Sequence, residues 1–107
     1  MTDVVASKNG ALIRLTEERW AHITEERAEL AAMRAEVLET IARPMRVLEG
    51  GRGELLGVGE IEQGKALVVV NRETGKDGFV ITAFLTRRMQ SLHRRKQLWP
   101  WLKSANT

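Results

Sequence analysis

Apolar and polar residues change their spacing once along the chain, at Pro44. Before it, the short run ALIRL at 11–15 reads as strand-like, and Thr16 follows in the position of a helix N-cap. Glu17 and Glu18 would then occupy the first turn, where carboxylates complement the positive end of a helix. This predicts a first helix over 17–26. Leu30, Met33, Val37 and Ile41 recur at helical spacing, with Leu38 widening the stripe, and predict a second. Arg43-Pro44 ends it, because a proline disfavours helix at the residue before it.

After Pro44 the pattern alternates. Residues 45–49, 54–62, 66–73 and 78–86 read as four strands, separated by Gly-rich or Thr-Gly-Lys-Asp turns. Links this short favour an antiparallel meander. The expected fold is therefore α+β: two N-terminal helices packed on a four-stranded antiparallel sheet, followed by a basic helix or tail. Residues 87–97 look helical but polar, and Trp99-Pro100-Trp101 stops them. The expected division is a domain over 1–88 and a tail over 89–107.

The last hairpin has two unlike faces. If Val70 faces Thr82 and Arg72 faces Val80, then Arg72, Thr82 and Thr86 share one face. Leu67, Val69, Phe79 and Ile81 share the other, which would seat the second helix while the hydroxyl face stays open to solvent. A one-residue slip would scatter this grouping. Within RWAHITEER, Trp20 and Ile23 form the buried stripe, and His22 stands on another side with Glu25 and Glu26 one turn on. A carboxylate beside an imidazole suits a general acid or base. Spacing alone favours a surface histidine with helix-pairing glutamates. Taken alone, Thr82 reads first as an ordinary exposed strand threonine, and Arg72 as a solvated strand end.

Composition narrows the chemistry. The chain has 107 residues, enough for one domain with a modest core. It has no cysteine, which removes disulfides, thiolate metal sites and thiol nucleophiles, and suits a reducing, cytoplasmic setting. The start, MTDVVASKNG, carries an early acid and no apolar run, so no signal peptide is expected, and no run approaches a membrane span. Two distant histidines give no metal signature, the glycines lack a phosphate-loop follow-up, and no triad context is present. No cofactor is implied. The net charge is +3, yet residues 87–107 hold Arg87, Arg88, Arg94, Arg95, Lys96 and Lys103 with no acid, so the first 86 residues carry −3. Such an end suits an arm that meets a polyanion; with Trp99 and Trp101 it also suits a hydrophobic clasp on the body, or a grip for an inhibitory partner. It lacks the apolar helix face of a membrane anchor.

Taken together, "RWAHITEERAEL", "VLETIARPMRVLE" and "ALVVVNRETGKDGFVITAFLTRR" resemble the phage- and toxin-associated ribonuclease-like domains of the barnase–EndoU–colicin–RelE group, over about residues 15–88. His22, Ile23, Glu25, Glu29 and Leu30 match the helix pattern of that group, Pro44 its helix end, and Gly78, Phe79, Thr82, Ala83 and Thr86 its terminal strand. Where the family often has Arg-His-Pro, this chain has Glu26, Arg27 and Ala28, so the second family histidine is missing. The resemblance implies two helices on a four-stranded antiparallel sheet with an RNA cleft on its concave face. It also implies metal-independent endoribonuclease activity, by 2′-hydroxyl attack to a 2′,3′-cyclic phosphate, in a toxin or phage-associated effector. His22 would be acid or base with Glu25 as its partner, Arg27 and Arg72 would stabilise charge, and Thr82 would position phosphate. Thr86, Arg87, Arg88, Arg94, Arg95 and Lys96 would bind RNA, and an antitoxin or immunity protein becomes an expected partner. The alternative is a catalytically idle domain of the same group that binds RNA or a protein.

Overall fold

The computed structural model describes residues 1–100, which form seven strands and three helices. In chain order they are β1 (Asp3–Ala6), β2 (Leu12–Leu15), α1 (Glu17–Glu26), α2 (Arg34–Ala42), β3 (Arg46–Glu49), β4 (Leu55–Glu62), β5 (Lys65–Thr74), β6 (Asp77–Thr86), α3 (Met89–His93) and β7 (Gln97–Trp99), with a 3-10 turn at Ala28–Leu30. All seven strands join one sheet in the order β1-β2-β6-β5-β4-β3-β7. β2 and β6 run parallel and every other neighbouring pair is antiparallel. The expected two helices on a four-stranded antiparallel sheet are thus overturned: three further strands and a third helix are present, and the sheet is mixed. β1 and β7 escape the pattern because each is only three or four residues long, while β2 falls within the strand-like run at 11–15, which had no place in the expected sheet. The parallel pairing of β2 with β6 joins residues more than sixty positions apart, so no turn between them announces it.

α1 begins where Thr16 Oγ1 accepts the backbone N–H of Arg19 at 3.0 Å. α2 starts only at Arg34, so Leu30 belongs to the 3-10 turn and Met33 to the cap. Trp20, Ile23, Leu30, Val37 and Ile41 pack on Ile13, Leu15, Leu67, Val69, Val80 and Ala83 to form the larger core. α2 lies close against β4 because a Cβ at Gly59 would come within 3.0 Å of Thr40 Oγ1. The sheet also curls around this helical face. Lys8, in the β1–β2 turn, places its Nζ 4.4 Å from the ring centre of Trp99 in β7, at the opposite end of the strand order.

The hairpin of β5 and β6 keeps the expected register from Ala66↔Thr86 to Val70↔Thr82 and then slips. Asn71 pairs with Val80 and Arg72 with Phe79, leaving Ile81 as the extra residue of a bulge. The consequence reverses two expectations. Val80 is buried against the helices, whereas Phe79, expected in the core, turns to the opposite face and is 46% exposed. Ile81 is only half-buried.

Nor is that opposite face open throughout. Leu48, Leu56, Val58, Ala66 and Val68 form a second core on it, closed by Leu92 of α3 with help from Met89 and Phe84. Residues 89–99, expected as a tail, therefore supply one lid and one edge strand of the body. Trp101 and Lys103 lie outside the described residues. Among those described, no helix is long and apolar enough to cross a membrane.

One guanidinium ties the N-terminal strand to α1 and α2. Arg34 donates through Nε to Asp3 Oδ2 at 2.7 Å, through Nη1 to Glu17 Oε1 at 3.3 Å and through Nη2 to the Met1 carbonyl at 3.3 Å. It also lies 5.7 Å from the Trp20 ring centre. The bond to Asp3 raises Arg34's already high pKa, so it stays charged. The N-terminal ammonium, then Arg34, hold the Glu17 carboxyl below its ordinary pKa. That contribution is present above the ordinary carboxylate range and is lost as pH falls through it. Arg34→Ala is expected to cost about 1–2 kcal/mol, since its bonds are charge-assisted but partly solvated. The melting temperature should drop by roughly 5–10 °C at neutral pH. Between wild type and variant the gap should narrow on acidification; a gap independent of pH would remove the ionic part of this account.

Candidate nucleic-acid interface

β2 pairs with β6 only from Leu12↔Asp77 to Arg14↔Phe79. Beyond Phe79 that flank of β6 has no strand neighbour, and α1, which begins two residues after β2 ends, packs beside it. Arg27, just past the end of α1, extends over this margin. Its Nη1 donates a long hydrogen bond, 3.5 Å, to Thr82 Oγ1, and its guanidinium lies 5.9 Å from the ring centre of Phe84. Residues 55 positions apart in the sequence are thus joined on one surface.

His22 connects to this pair through Glu26. Its Nε2 stands 3.7 Å from Glu26 Oε1, which in turn lies 3.9 Å from Arg27 Nη1. The expected partner Glu25 is exposed on another line of the helix. The reason is angular: residue i+4 is displaced roughly 40° around a helix from residue i, whereas i+3 is displaced roughly 60° the other way. Side chains of His22, Glu26 and Arg27 are 60%, 57% and 36% exposed, so a polymer could reach them without any opening of the fold. An open depression of about 300 Å³ adjoins His22 and is lined by Thr16, Glu18 and Arg19.

Arg72 shares the face of Thr82 but does not join the group. It donates through Nη2 to the Arg52 carbonyl at 3.0 Å, anchoring the β3–β4 loop. The backbone amides of Glu54 and Arg52, followed by the charges of Arg72 and Arg52, keep the Glu54 carboxyl below its ordinary pKa. Arg72 is therefore a loop anchor at the other end of the face from Arg27.

The six residues expected to bind RNA divide between the two ends of α3. Thr86 Oγ1 accepts the Arg88 N–H at 3.0 Å and so shapes the exit from β6. Arg87 and Arg88 are exposed there, with Arg87 Nη2 at 3.7 Å from Glu62 Oε1. Arg94, Arg95 and Lys96 form the turn into β7; Arg95 Nη1 donates to the Glu49 carbonyl at 3.4 Å, and all three are exposed. Only the first end adjoins Thr82 along β6.

Two features of this surface had weak signals or none in the sequence. Glu26 was visible as an i+4 neighbour of His22, while Phe79 was hidden by the bulge. Among the described residues, no three His, Cys, Asp or Glu side chains gather to hold a metal ion. Comparison of the chain with protein-family models, with curated proteins and with solved structures gives no match.

Proposed function

We propose that the protein is a small cytoplasmic endoribonuclease, of the toxin or phage-effector kind, whose working surface is the margin between α1 and β6. The observation that carries this reading is the Arg27–Thr82 contact, which unites the two segments that most resemble a ribonuclease motif. In the reaction, the 2′-oxygen of a ribose attacks the adjacent phosphorus, and the imidazole of His22 takes the hydroxyl proton. The 5′-oxygen departs with a proton from water, leaving a 2′,3′-cyclic phosphate. Glu26 orients and stabilises the imidazolium. Arg27 faces the charge that grows on the phosphorane, and the Thr82 hydroxyl positions a phosphate oxygen.

The scheme asks for no metal, so the test is incubation of purified protein with total RNA in EDTA. Shortened RNA ending in cyclic phosphates is expected. Intact RNA at micromolar protein would remove the enzymatic reading. A second reading, a domain that binds RNA or a protein without cutting, is favoured by the engagement of Arg72 with the β3–β4 loop, which leaves Arg27 to contact Thr82 without it. RNA retained on the protein but never shortened distinguishes it.

A further inference from the structure

We propose that Phe79 is a stacking platform for a base of single-stranded RNA; this rests on the RNA reading above and extends its surface along β6. Phe79 is a large aromatic side chain, 46% exposed, in the middle of a sheet. Its direct neighbours across both adjoining strands are arginines, Arg14 on β2 and Arg72 on β5. The bulge at Ile81 gives it this place: without the extra residue, Phe79 would point into the core and Val80 would point out. Instead Phe79 and Thr82 present to the same face, separated by roughly 10 Å of strand.

An exposed ring between guanidiniums fits what single-stranded nucleic acid offers. The π-face stacks on a base while flanking cations follow the phosphates. Two acids stand near, and both are already engaged: Asp77 Oδ1 lies 3.4 Å from Arg14 Nη2, and Glu54 Oε1 accepts the Arg52 N–H at 2.6 Å. With Arg14 and Arg72 on either side of Phe79 and Arg52 in the loop that Arg72 anchors, three cations against two acids, this part of the face remains net positive. A protein-docking surface would need continuous apolar area. Of the other exposed apolar residues on this side, Val4 is set off from Phe79 by Arg14, which pairs with Val4 on one side and Phe79 on the other, and Leu12 pairs with the charged Asp77.

The experiment measures anisotropy of a labelled oligouridylate about ten nucleotides long, the span that such surfaces cover. Phe79→Ala should weaken binding about tenfold, in line with the loss of one stacked base. Phe79→Leu, which keeps the apolar bulk without the ring, should lose nearly as much. Phe79→Trp should retain affinity, and its added emission should be quenched as RNA binds. Val4→Ala, on the same face, should bind as wild type, and duplex RNA, whose bases are already stacked, should not distinguish Phe79→Ala from wild type. If wild type holds the oligomer and Phe79→Ala holds it equally, the platform is wrong and the RNA reading survives. If wild type holds no RNA at all, both fall together.

Discussion

Gly78→Ala is expected to cost about 2–4 kcal/mol, a large fraction of the stability of a domain this size. Gly78 lies in β6 between two strands, paired with Ile13 on β2 and Glu73 on β5. A Cβ there would collide with the Arg72 carbonyl oxygen, approach Ile13 Cδ1 to 2.6 Å and reach within 3.2 Å of the Glu73 Cα. None of these neighbours can yield cheaply. Two are backbone of a paired strand, and Ile13 is fully buried in the larger core. The melting temperature should fall by roughly 10–25 °C. Ile13→Val, which removes the Cδ1, should recover part of the loss in the double variant. Gly51→Ala is the control, since an added Cβ there meets nothing within 4 Å. A Gly78→Ala protein that melts within two or three degrees of wild type would mean that β5 and β6 do not approach each other as described.

That close approach lies in the part of the hairpin where sequence and structure part company. From 66 to 70 the alternation of β5 against β6 was legible, because each residue obeys a period of two. A bulge breaks the period without any mark in the sequence: there is no glycine or proline at Ile81 to announce it. Everything on the N-terminal side of that point is reversed, so Phe79 went to the wrong face and Val80 with it. The helical stripe of α1 was legible for the opposite reason, since Thr16, Trp20 and Ile23 all satisfy one local geometry. The apolar lid on the second face was not. Met89 and Leu92 are two apolar residues in a run otherwise polar and basic, and only the Leu48, Leu56 and Val68 surface that they cover explains their use. For the site, motif resemblance singled out Thr82, while Arg27 stood where the chain departs from the family pattern and was named only as a cation for phosphate. Their contact needed the edge of β6 to be left free by a β2 too short to cover it.

If the margin between α1 and β6 cleaves RNA, His22→Ala should reduce the rate by about 10²–10⁴-fold, the range for loss of a positioned acid or base. Arg27→Ala should reduce it by about 10²–10³-fold through lost stabilisation of the phosphorane. Both residues are solvent-accessible, so neither variant should melt far from wild type. Arg27→Lys separates charge from shape. An ammonium keeps the positive charge but loses the planar guanidinium, whose Nη1 meets both Thr82 and Glu26 and whose other N–H groups are left for a phosphate, so its rate should lie between those of wild type and the alanine variant. Because His22, Glu26 and Arg27 form one connected row, the double variant should lose far less than the product of the single losses. Glu26→Gln should depress the rate and Glu25→Ala should leave it unchanged, since only Glu26 faces the imidazole. Full cleavage by His22→Ala would take the imidazole out of the mechanism. Equal losses in Glu25→Ala and Glu26→Gln would show that acidity on α1 matters only as bulk charge, and the row from His22 to Thr82 would have no chemical standing.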